Sequence, residues 1–420
     1  MIDIKLIREN PELVKQSCIN KNDSSDIDTL VALDLERRAL IQEVEDLKNT
    51  RNVVSGDISA LKKSGLDATG KITSMREVGD RIKELDDELR VIEESFSQIM
   101  LMVPNIAHSS VPIGKDLHDN VEVKRVGECM ERTWHVDHIE ISRRLGILDF
   151  ERGAKVSGGG FGFYVGKGAR LERALINFFL DTNTGIHGYE EIMPPFVVNA
   201  DSCRGTGQLP KSQDDMFYIE RDDLYLVPTA EVPITNFHRD EILPTDKLPI
   251  RYAGYSACFR REAGSHGKET RGFLRVHQFN KVELVKFVLP QESYHELDQL
   301  VGNVEYILQQ LGLTYRVLLL CTGDMTFGGA KTYDLEVWSP CEQRWLEVSS
   351  CTNFESYQAR RANIRFRDKG ASKTEFVHTL NGSGLATSRI LVSLLEHYQT
   401  EDGHVSIPEC LRAYCGFDII

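Results

Sequence analysis

The 420-residue sequence lacks any apolar run that approaches the ~18 to 20 residues needed to cross a lipid bilayer. Its opening segment, MIDIKLIRENPELVKQS, also lacks the apolar stretch of a signal peptide and carries Glu9 and Glu12 instead. We therefore expect a protein of the cytoplasm with no membrane partner.

The sequence also lacks paired cysteines. Its nine cysteines are an odd number scattered from Cys18 to Cys415, and no two of them form a Cys-x-x-Cys pair. This pattern excludes a disulfide framework and a zinc ribbon, and it favours a reducing compartment. Cys203, Cys258 and Cys351 have no neighbouring base, so we expect buried thiols rather than nucleophiles.

Positive charge is in deficit. The chain has 64 acidic residues against 50 Lys and Arg, which gives a net charge of -14. Bulk attraction to phosphates or anionic lipid is therefore excluded, and any contact with nucleic acid requires a local basic surface. The hydrophobic content of 41% is typical of a globular chain, and the length predicts two to three domains.

Two familiar site motifs are missing. The glycine-rich segment 156–168 has Phe161 and Gly168 where a phosphate-binding P-loop requires Gly and Ser or Thr. We interpret it as a turn that leads into a helix near Ala169. His135 and His138 lack companion ligands, so we do not expect a zinc site there.

A heptad pattern occupies the first quarter of the chain. Two apolar stripes, separated by a glycine-containing break at 63–70, repeat at spacings of three, four and seven residues. Their members are Leu30, Leu33, Leu40, Val44, Leu47, Val54, Ile58 and Leu61, then Met75, Val78, Ile82, Leu85, Leu89, Ile92, Phe96 and Ile99. They predict a hairpin of two paired helices, each about 45 to 50 Å long. The pattern is compatible with a dimerisation coiled coil and with a partner-binding arm.

The character of the sequence changes after Val103. Segment 103–112 contains Pro104 and Pro112, so we divide the chain into an arm domain at 1–103 and a second domain at 104–420. The second domain alternates short β-rich runs with helical stretches. Strands are predicted at 224–227, 274–279, 315–320 and 333–338, and helices near 168–184, 291–311 and 386–398. The predicted fold is α+β, an antiparallel sheet flanked by helices.

One pair of segments has the composition of a nucleotide site. FRRE at 259–262 and RVHQF at 275–279 flank a basic, glycine-containing loop and predict two strands. An arginine at Arg260 can clamp a phosphate, Glu262 would share its face of the strand, and Phe279 offers a surface for a flat base. A hairpin with surface ion pairs is the alternative.

Two further segments could bind a cation and an anion. The strand-like segment 345–350 would place Glu347 and Ser349 on one face with Ser350 beside them, and such oxygen ligands suit Mg²⁺. A solvated strand edge would look the same. Segment 380–389 predicts a strand, a glycine turn and a helix that presents its N-terminus and Arg389 to an anion. Its alternative is a capped core helix with a solvated Arg389.

These segments, taken together, carry a family resemblance. FRRE with RVHQF, GLATSR at 384–389 and GYEEIMPP at 188–195 are similar to motifs 2, 3 and 1 of class II aminoacyl-tRNA synthetases. More specific segments lie at 205–211, 228–233, 321–325, 331–338, 349–354, 358–361 and 378–384. Over its whole length the sequence resembles the bacterial-type seryl-tRNA synthetases.

The resemblance implies a class II antiparallel core in a homodimer, preceded by a tRNA-binding coiled-coil arm. It implies ATP-dependent activation of L-serine and its transfer to tRNA(Ser), with Mg²⁺ as cofactor. Recognition would involve the long variable arm and elbow of the tRNA and leave the anticodon unread. The resemblance leaves open whether tRNA(Sec) is a second acceptor.

Site residues follow from the same resemblance. Arg260 and Arg389 would be the catalytic cations, and Glu347 and Ser350 would bind Mg²⁺. The ATP site would comprise Arg260, Arg261, Glu262, Val276, Phe279, Glu347, Val348, Ser349, Ser350 and Arg389. The serine site would comprise Thr229, Ala230, Glu231, Arg260, Glu283, Asn381 and Ser383. The signature at 229–231 is typical of the metal-free serine pocket, so the zinc-dependent form of the family is not expected.

Two alternatives remain from other classes of protein. One is an enzyme that serylates a carrier protein, but such relatives usually lack the long arm. The other is an inactive dimeric scaffold, and the joint presence of Arg260, Glu262, Glu347, Ser350 and Arg389 argues against it.

Overall fold

The computed structural model describes residues 1–130, 134–263 and 272–420, which form two compact units. The first unit contains residues 2–19 and 23–103, and the second contains residues 1, 20–22 and 104–420. Most of the basic loop predicted between Glu262 and Gly272 lies outside the described residues.

The first unit is helical. Its helices are α1 (Ile4–Glu9), α2 (Pro11–Asn20), α3 (Ile27–Lys63) and α4 (Thr69–Met102). At about 1.5 Å per residue, α3 and α4 are each about 50 to 55 Å long. Gly65 has a φ of 68° in the connection, a left-handed conformation that glycine adopts at little cost. Gly70, which the sequence placed in the break, lies instead within the first turn of α4.

The two long helices pair through the predicted apolar stripes. Every predicted stripe residue is buried or half-buried, and Leu30, Val44, Ile82 and Leu85 are the most enclosed. Ion pairs cross between the helices from Arg37 to Glu93, Lys48 to Asp86, Arg81 to Glu43 and Lys71 to Asp57, at 2.7 to 3.3 Å. Exposed pairs of this kind contribute about 0 to 1 kcal/mol each, so the apolar seam is the main stabilising element. The predicted helical hairpin is confirmed.

The second unit is a mixed α/β structure. Its helices are α5 (His138–Leu145), α6 (Phe150–Ser157), α7 (Lys167–Gly185), α8 (Ala200–Thr206), α9 (Glu231–Asn236), α10 (Ser293–Gln310), α11 (Tyr357–Arg361), α12 (Thr387–His397) and α13 (Glu409–Cys415). Its strands are β1 (Val121–Val126), β2 (Leu148–Asp149), β3 (Phe163–Tyr164), β4 (Glu190–Glu191), β5 (Val197–Asn199), β6 (Tyr218–Ile219), β7 (Leu224–Leu226), β8 (Ile242–Pro244), β9 (Ile250–Phe259), β10 (Gln278–Val288), β11 (Tyr315–Leu319), β12 (Lys331–Ser339), β13 (Arg344–Asn353), β14 (Arg365–Arg367), β15 (Glu375–Phe376) and β16 (His378–Ala386).

An eight-stranded sheet organises this unit. The strand order is β1-β11-β12-β13-β16-β10-β9-β4, and every neighbouring pair is antiparallel except β4 with β9. Smaller sheets are formed by β15-β14-β8, by β5-β7-β6 and by β2-β3. The predicted α+β fold with a large antiparallel sheet is therefore confirmed. Among the described helices, none combines the length and apolar character that crossing a bilayer requires.

The main core lies between the sheet and the helices α7, α10 and α12. Their buried residues include Leu171, Phe179, Leu300, Leu308 and Leu391, which join sheet residues such as Val282, Leu284 and Leu380 in one cluster. Successive side chains of a strand point to opposite faces. Because Val282 and Leu284 face this core, Lys281 and Glu283 of β10 project from the other face of the sheet.

Two local predictions differ from the structure. The strand predicted from residue 274 begins only at Gln278. Phe273 and Leu274 are apolar because they are buried, but they lie in the segment that leads into the strand. The glycines at 382 and 384 do not form a turn, since β16 runs through them and α12 follows directly. A Cβ at Gly382 would lie 2.8 Å from the Cys351 sulfur, and one at Gly384 would lie 2.7 Å from the Leu284 side chain. These glycines therefore permit close packing within the sheet.

Candidate active site

Three adjoining cavities form a continuous cleft in the second unit. Their volumes are about 460, 200 and 800 Å³. The first and second share Arg260, Glu262 and Arg275, and the second and third share Arg275, Glu347 and Arg389. Site residues predicted from segments more than 150 positions apart therefore line one cleft.

Arg260 lies where the first two cavities meet. Its backbone N–H donates to the carbonyl of His277 at 3.0 Å, and its Nε donates to the carbonyl of Pro228 at 3.3 Å. Its guanidinium lies 5.3 Å from the centre of the Phe279 ring, a distance suited to a cation–π contact. Contacts from two separate segments, at Pro228 and at 277–279, therefore hold Arg260 in place.

The motif around Arg260 differs in detail from the prediction. Strand β9 ends at Phe259, so Arg260, Arg261 and Glu262 follow the strand instead of sharing one of its faces. Glu262 has a φ of 50° and accepts a hydrogen bond from Nη1 of Arg275 at 2.8 Å. The chain turns away at the strand end, and the turn places Glu262 at the cavity wall.

Arg389 and Val276 define the far end of the second cavity. Arg389 is the third residue of α12, and its Nη1 donates to the backbone carbonyl of Glu347 at 2.6 Å. Its Nε donates to the carbonyl of Leu274 at 3.2 Å. Val276 and Val348 complete the wall. A second guanidinium is thus fixed in the cavity that Arg260 also lines.

Carboxylates gather where β12 and β13 border the third cavity. Asp334 pairs with Ser350 and Glu336 with Glu347, and the register shifts between these pairs. This bulge at Val348 places Glu347 and Ser350 on the cleft side, so the predicted shared face of Glu347 and Ser349 is wrong. Ser349 is buried and donates to the carbonyl of Ser383 at 2.7 Å.

The described residues include no group of three or more acidic, histidine or cysteine side chains arranged to hold a metal ion, but two features of these carboxylates suit a cation that also binds phosphates. Burial and the charge of Glu347 raise the pKa of Asp334 well above its ordinary value, although a hydrogen bond from Ser350 opposes the shift. In the described part of the chain, Oδ1 of Asp334 is buried without a hydrogen-bond partner. A hard divalent cation with oxygen ligands would satisfy this oxygen and offset the repulsion, so the donor set fits Mg²⁺.

A buried polar network lies beside Arg260, with Thr229 at the first cavity and Lys281 and Ser383 at the second. The Thr229 hydroxyl donates to Oε2 of Glu283 at 2.7 Å, and the Lys281 ammonium forms an ion pair with the same oxygen. Ser383 is the neighbour of Glu283 across the β10–β16 pair. These side chains form a polar pocket.

Glu231 is the second carboxylate of this pocket. Its Oε1 accepts a hydrogen bond from Nε2 of Gln358 at 2.7 Å, and the side-chain Oε1 of Gln358 accepts one from the Thr379 hydroxyl at 2.8 Å. Burial, and then the charge of Glu283, raise the pKa of Glu231 to about 7, against the lowering effects of Lys281, Gln358 and Asn381. Ala230, which precedes Glu231, is fully buried. The pocket can therefore pair with one cationic ligand group.

The cysteines near the cleft are poor nucleophiles. Cys203, Cys258 and Cys351 are buried, as expected from the sequence. Burial raises the pKa of the Cys203 and Cys351 thiols to about 12. These thiols therefore do not supply a nucleophile to the cleft.

Three residues of the cleft were not singled out as site residues by sequence reasoning. Lys281 precedes Glu283 by two positions on a strand, so the period of two was a usable signal. Gln358 and Asp334 belong to the family-specific segments 358–361 and 331–338. Neither segment by itself indicates that Gln358 would bind Glu231 or that Asp334 would lie near Glu347.

Comparison with known proteins identifies the family. Two family models match the chain, the seryl-tRNA synthetase N-terminal domain at residues 1–107 and the tRNA synthetase class II core domain (G, H, P, S and T) at residues 216–398. The serine–tRNA ligase of Chloroherpeton thalassium is 56% identical over the full length of both chains. The chain belongs to the seryl-tRNA synthetase family.

Solved structures of seryl-tRNA synthetases have the same fold. That of Pyrococcus horikoshii, complexed with ATP, superposes with a TM-score of 0.93 at 38% identity and covers 100% of this chain and 99% of its own. The cytoplasmic enzyme of Naegleria fowleri, in complex with AMP, gives 0.87 at 30% identity, covering 100% of this chain and 98% of its own. The class II core match spans every site residue that the sequence predicted, from Thr229 to Arg389.

Proposed function

We propose that the cleft activates L-serine with ATP and transfers it to the 3′ end of tRNA(Ser), as in other members of the seryl-tRNA synthetase family. The observation that supports this proposal is the position of Arg260, which lines both the cavity of Thr229 and Glu231 and the cavity of Phe279 and Arg389. An amino acid and a nucleotide bound in the two cavities would meet at its guanidinium.

ATP occupies the second cavity in this proposal. The adenine stacks on Phe279 with Glu262 at its edge, and the α-phosphate lies at Arg260. Arg389 holds the γ-phosphate, which bends the triphosphate back toward α12. Val276, Val348, Ser349 and the backbone at Arg261 shape the remaining surface.

Glu347 and Ser350 would hold Mg²⁺, with Asp334 next to them. When bound, the cation neutralises charge on the phosphates and so lowers the barrier to attack by another anion. The bulge at Val348 supports this assignment, because it turns both ligands toward the cleft.

The polar pocket beside Arg260 receives serine. Glu231 and Thr229 bind the ammonium group, while Glu283 and Ser383 bind the hydroxyl, with Asn381 beside them. Alanine would leave these polar groups unpaired, at about 1 to 3 kcal/mol for each buried group. This difference supplies selectivity without a separate correction step.

Activation joins two anions. The serine carboxylate attacks the α-phosphorus, the bond to the bridging oxygen breaks, and pyrophosphate leaves with the electron pair. Arg260 stabilises the charge on the α-phosphate oxygens while Arg389 holds the departing pyrophosphate. The 3′-hydroxyl of the tRNA then attacks the seryl carbonyl and displaces AMP.

The pKa of Glu231 predicts how serine binding depends on pH. Its carboxyl must be ionised to pair with the ammonium, and below pH 7 it carries a proton in the empty pocket. Each pH unit below the pKa then costs about 1.4 kcal/mol, a factor of ten. We expect the KM for serine to be about tenfold higher at pH 6 than at pH 8, measured by pyrophosphate exchange at saturating ATP.

A second buried carboxyl provides the control. Burial also raises the pKa of Glu172 to about 7, but its Oε1 accepts a hydrogen bond from Asn280, outside the serine pocket. Glu231→Gln should weaken serine binding and flatten the pH profile, whereas Glu172→Gln should leave the profile intact. A profile that flattens only in Glu172→Gln would contradict the assignment.

Removing a metal ligand should change the Mg²⁺ requirement. We expect Glu347→Gln to raise the Mg²⁺ concentration for half-maximal exchange by about 10- to 100-fold, because an amide is a weaker ligand than a carboxylate. Glu375→Gln, in the exposed strand β15, is the matched control and should not change it. An identical Mg²⁺ titration for Glu347→Gln and wild type would remove Glu347 from the cation site.

The remaining assignments concern the whole molecule. We propose that residues 1–103 form the tRNA-binding domain and 104–420 the catalytic domain, that the protein acts as a homodimer, and that it works in the cytoplasm. Exposed Arg51, Lys62, Lys63, Arg76 and Lys83 give the hairpin of α3 and α4 positive charge for tRNA phosphates.

Transfer of labelled serine tests the acceptor. We expect acid-precipitable serine on tRNA(Ser), and none on tRNA whose terminal ribose has been oxidised with periodate. A tRNA(Sec) transcript in parallel decides whether it is a second acceptor. Serine found only on a carrier protein would favour the alternative function, and no activation at all would favour the inactive scaffold.

A further inference from the structure

Lys281 is a buried cation without an assigned role. It lies on β10 two residues before Glu283, and only 7% of its surface is exposed. Its ammonium forms an ion pair with Oε2 of Glu283, while its side chain lines the second cavity. Burying a charge is costly unless it is paired, so the pair with Glu283 accounts for its stability there but leaves its purpose open.

The contacts of Glu283 suggest that purpose. The Thr229 hydroxyl donates to Oε2 at 2.7 Å, the oxygen that Lys281 also contacts. Two donors on one oxygen fix the rotation of the carboxylate. A carboxylate held in this way is a defined acceptor, because its geometry is set before the ligand arrives.

The charge balance of the pocket points the same way. Glu283 is buried and Glu231 is half-buried, and they are close enough that the charge of Glu283 raises the pKa of Glu231, whereas Lys281 lowers it. With Lys281 present, two carboxylates and one ammonium leave a single negative charge for a single substrate ammonium. Without it, no neighbouring ammonium on β10 would offset the repulsion between the two carboxylates.

We propose that Lys281 is a positioning residue for serine selection, which holds the Glu283 side chain in a fixed orientation as an acceptor for the substrate hydroxyl. This role rests on the proposed function of the cleft and adds a determinant of specificity to it. Lys281 acts through Glu283, so its loss should be felt in the binding of serine and in the rejection of alanine.

The test is pyrophosphate exchange by Lys281→Met, with KM and kcat determined separately for serine, alanine and ATP. We expect the KM for serine to rise by about 10- to 100-fold, the range for loss of a charged hydrogen bond. The preference for serine over alanine should fall at least about tenfold, while the KM for ATP should stay within about threefold. If the KM for ATP rises instead, Lys281 contacts the nucleotide and the proposal is wrong.

Lys286 offers a matched control on the same strand. It is 1% exposed and its ammonium pairs with Oε2 of Glu296 at 2.8 Å, on the face of β10 opposite to Lys281. Lys286→Met removes an equally buried ion pair outside the cleft. It should lower thermal stability as Lys281→Met does but leave the serine and alanine constants within about threefold. An equal loss of serine affinity in both variants would reduce Lys281 to a structural role.

A double variant tests whether Lys281 acts through Glu283. Glu283→Gln removes the charge that Lys281 balances, so the effects of Lys281→Met and Glu283→Gln on the KM for serine should not multiply. Multiplicative effects would overturn the proposal. If Lys281→Met does not fold, Lys281→Gln provides the same comparison. Serine-dependent exchange by the wild-type protein tests the proposed function itself, so its absence would mean that the proposed function has failed and not only this inference.

Discussion

Replacing Arg260 with alanine is expected to lower serine-dependent pyrophosphate exchange about a thousandfold. Its guanidinium lies between the two substrate cavities and is placed to offset charge where one anion attacks another. Removing such a preorganised donor typically costs a factor of about 10² to 10³, or about 3 to 4 kcal/mol of transition-state stabilisation. The measurement is kcat/KM for exchange with each substrate varied in turn.

Two variants sharpen this result. Arg260→Lys keeps the charge but loses the planar fork, so we expect only partial recovery. Arg365 also stacks on an aromatic ring, at 4.9 Å from the centre of Phe376, but it lies on β14 outside the cleft. Arg365→Ala should therefore retain exchange within about twofold. Comparable losses in Arg260→Ala and Arg365→Ala would show that stacking, and not catalysis, explains the effect.

Shortening the helical hairpin should abolish tRNA charging and spare activation. A deletion of residues 49–85, closed by a short glycine-rich linker, keeps the Arg37–Glu93 and Lys48–Asp86 ion pairs as the new end of the hairpin. None of the deleted residues lines the cleft. We expect charging of tRNA(Ser) to fall at least about 100-fold, as basic contacts with phosphates are lost, and exchange to remain within about threefold.

A tRNA(Ser) transcript without its variable arm is the complementary control. If the hairpin binds that arm, the wild-type protein should charge this transcript at the same low rate at which the shortened protein charges either tRNA. The two losses should not multiply, because both remove the same contact. Equal loss of exchange and charging in the shortened protein would contradict a separate role for the hairpin.

Local periodicity predicted the regular parts of the fold. The heptads of α3 and α4 were readable because their spacing is set within each helix, and each predicted stripe residue lies in the seam. The alternating strands and helices of the second unit also carried local signals, although the strand predicted from residue 274 began late. The buried Phe273 and Leu274 imitate a strand because burial, and not backbone pairing, selects for apolar residues.

The details of the cleft depend on pairing between distant segments. Whether Ser349 or Ser350 faces the cleft is decided by a bulge at Val348, which a strand period of two cannot reveal. The close approach of Gly384 to Leu284 depends on packing between β10 and β16. The resemblance to synthetases supplied the site residues, whereas their geometry required the folded chain.

Amino-acid-dependent exchange between ATP and labelled pyrophosphate tests the central claim most directly. With purified protein and Mg²⁺, serine, threonine, alanine and glycine are compared at equal concentration. We predict rapid exchange with serine and at least about 100-fold slower exchange with the other three, since only serine pairs with Glu283 and fits the pocket. Absence of exchange with serine, or equal exchange with alanine, would contradict the assignment of the cleft.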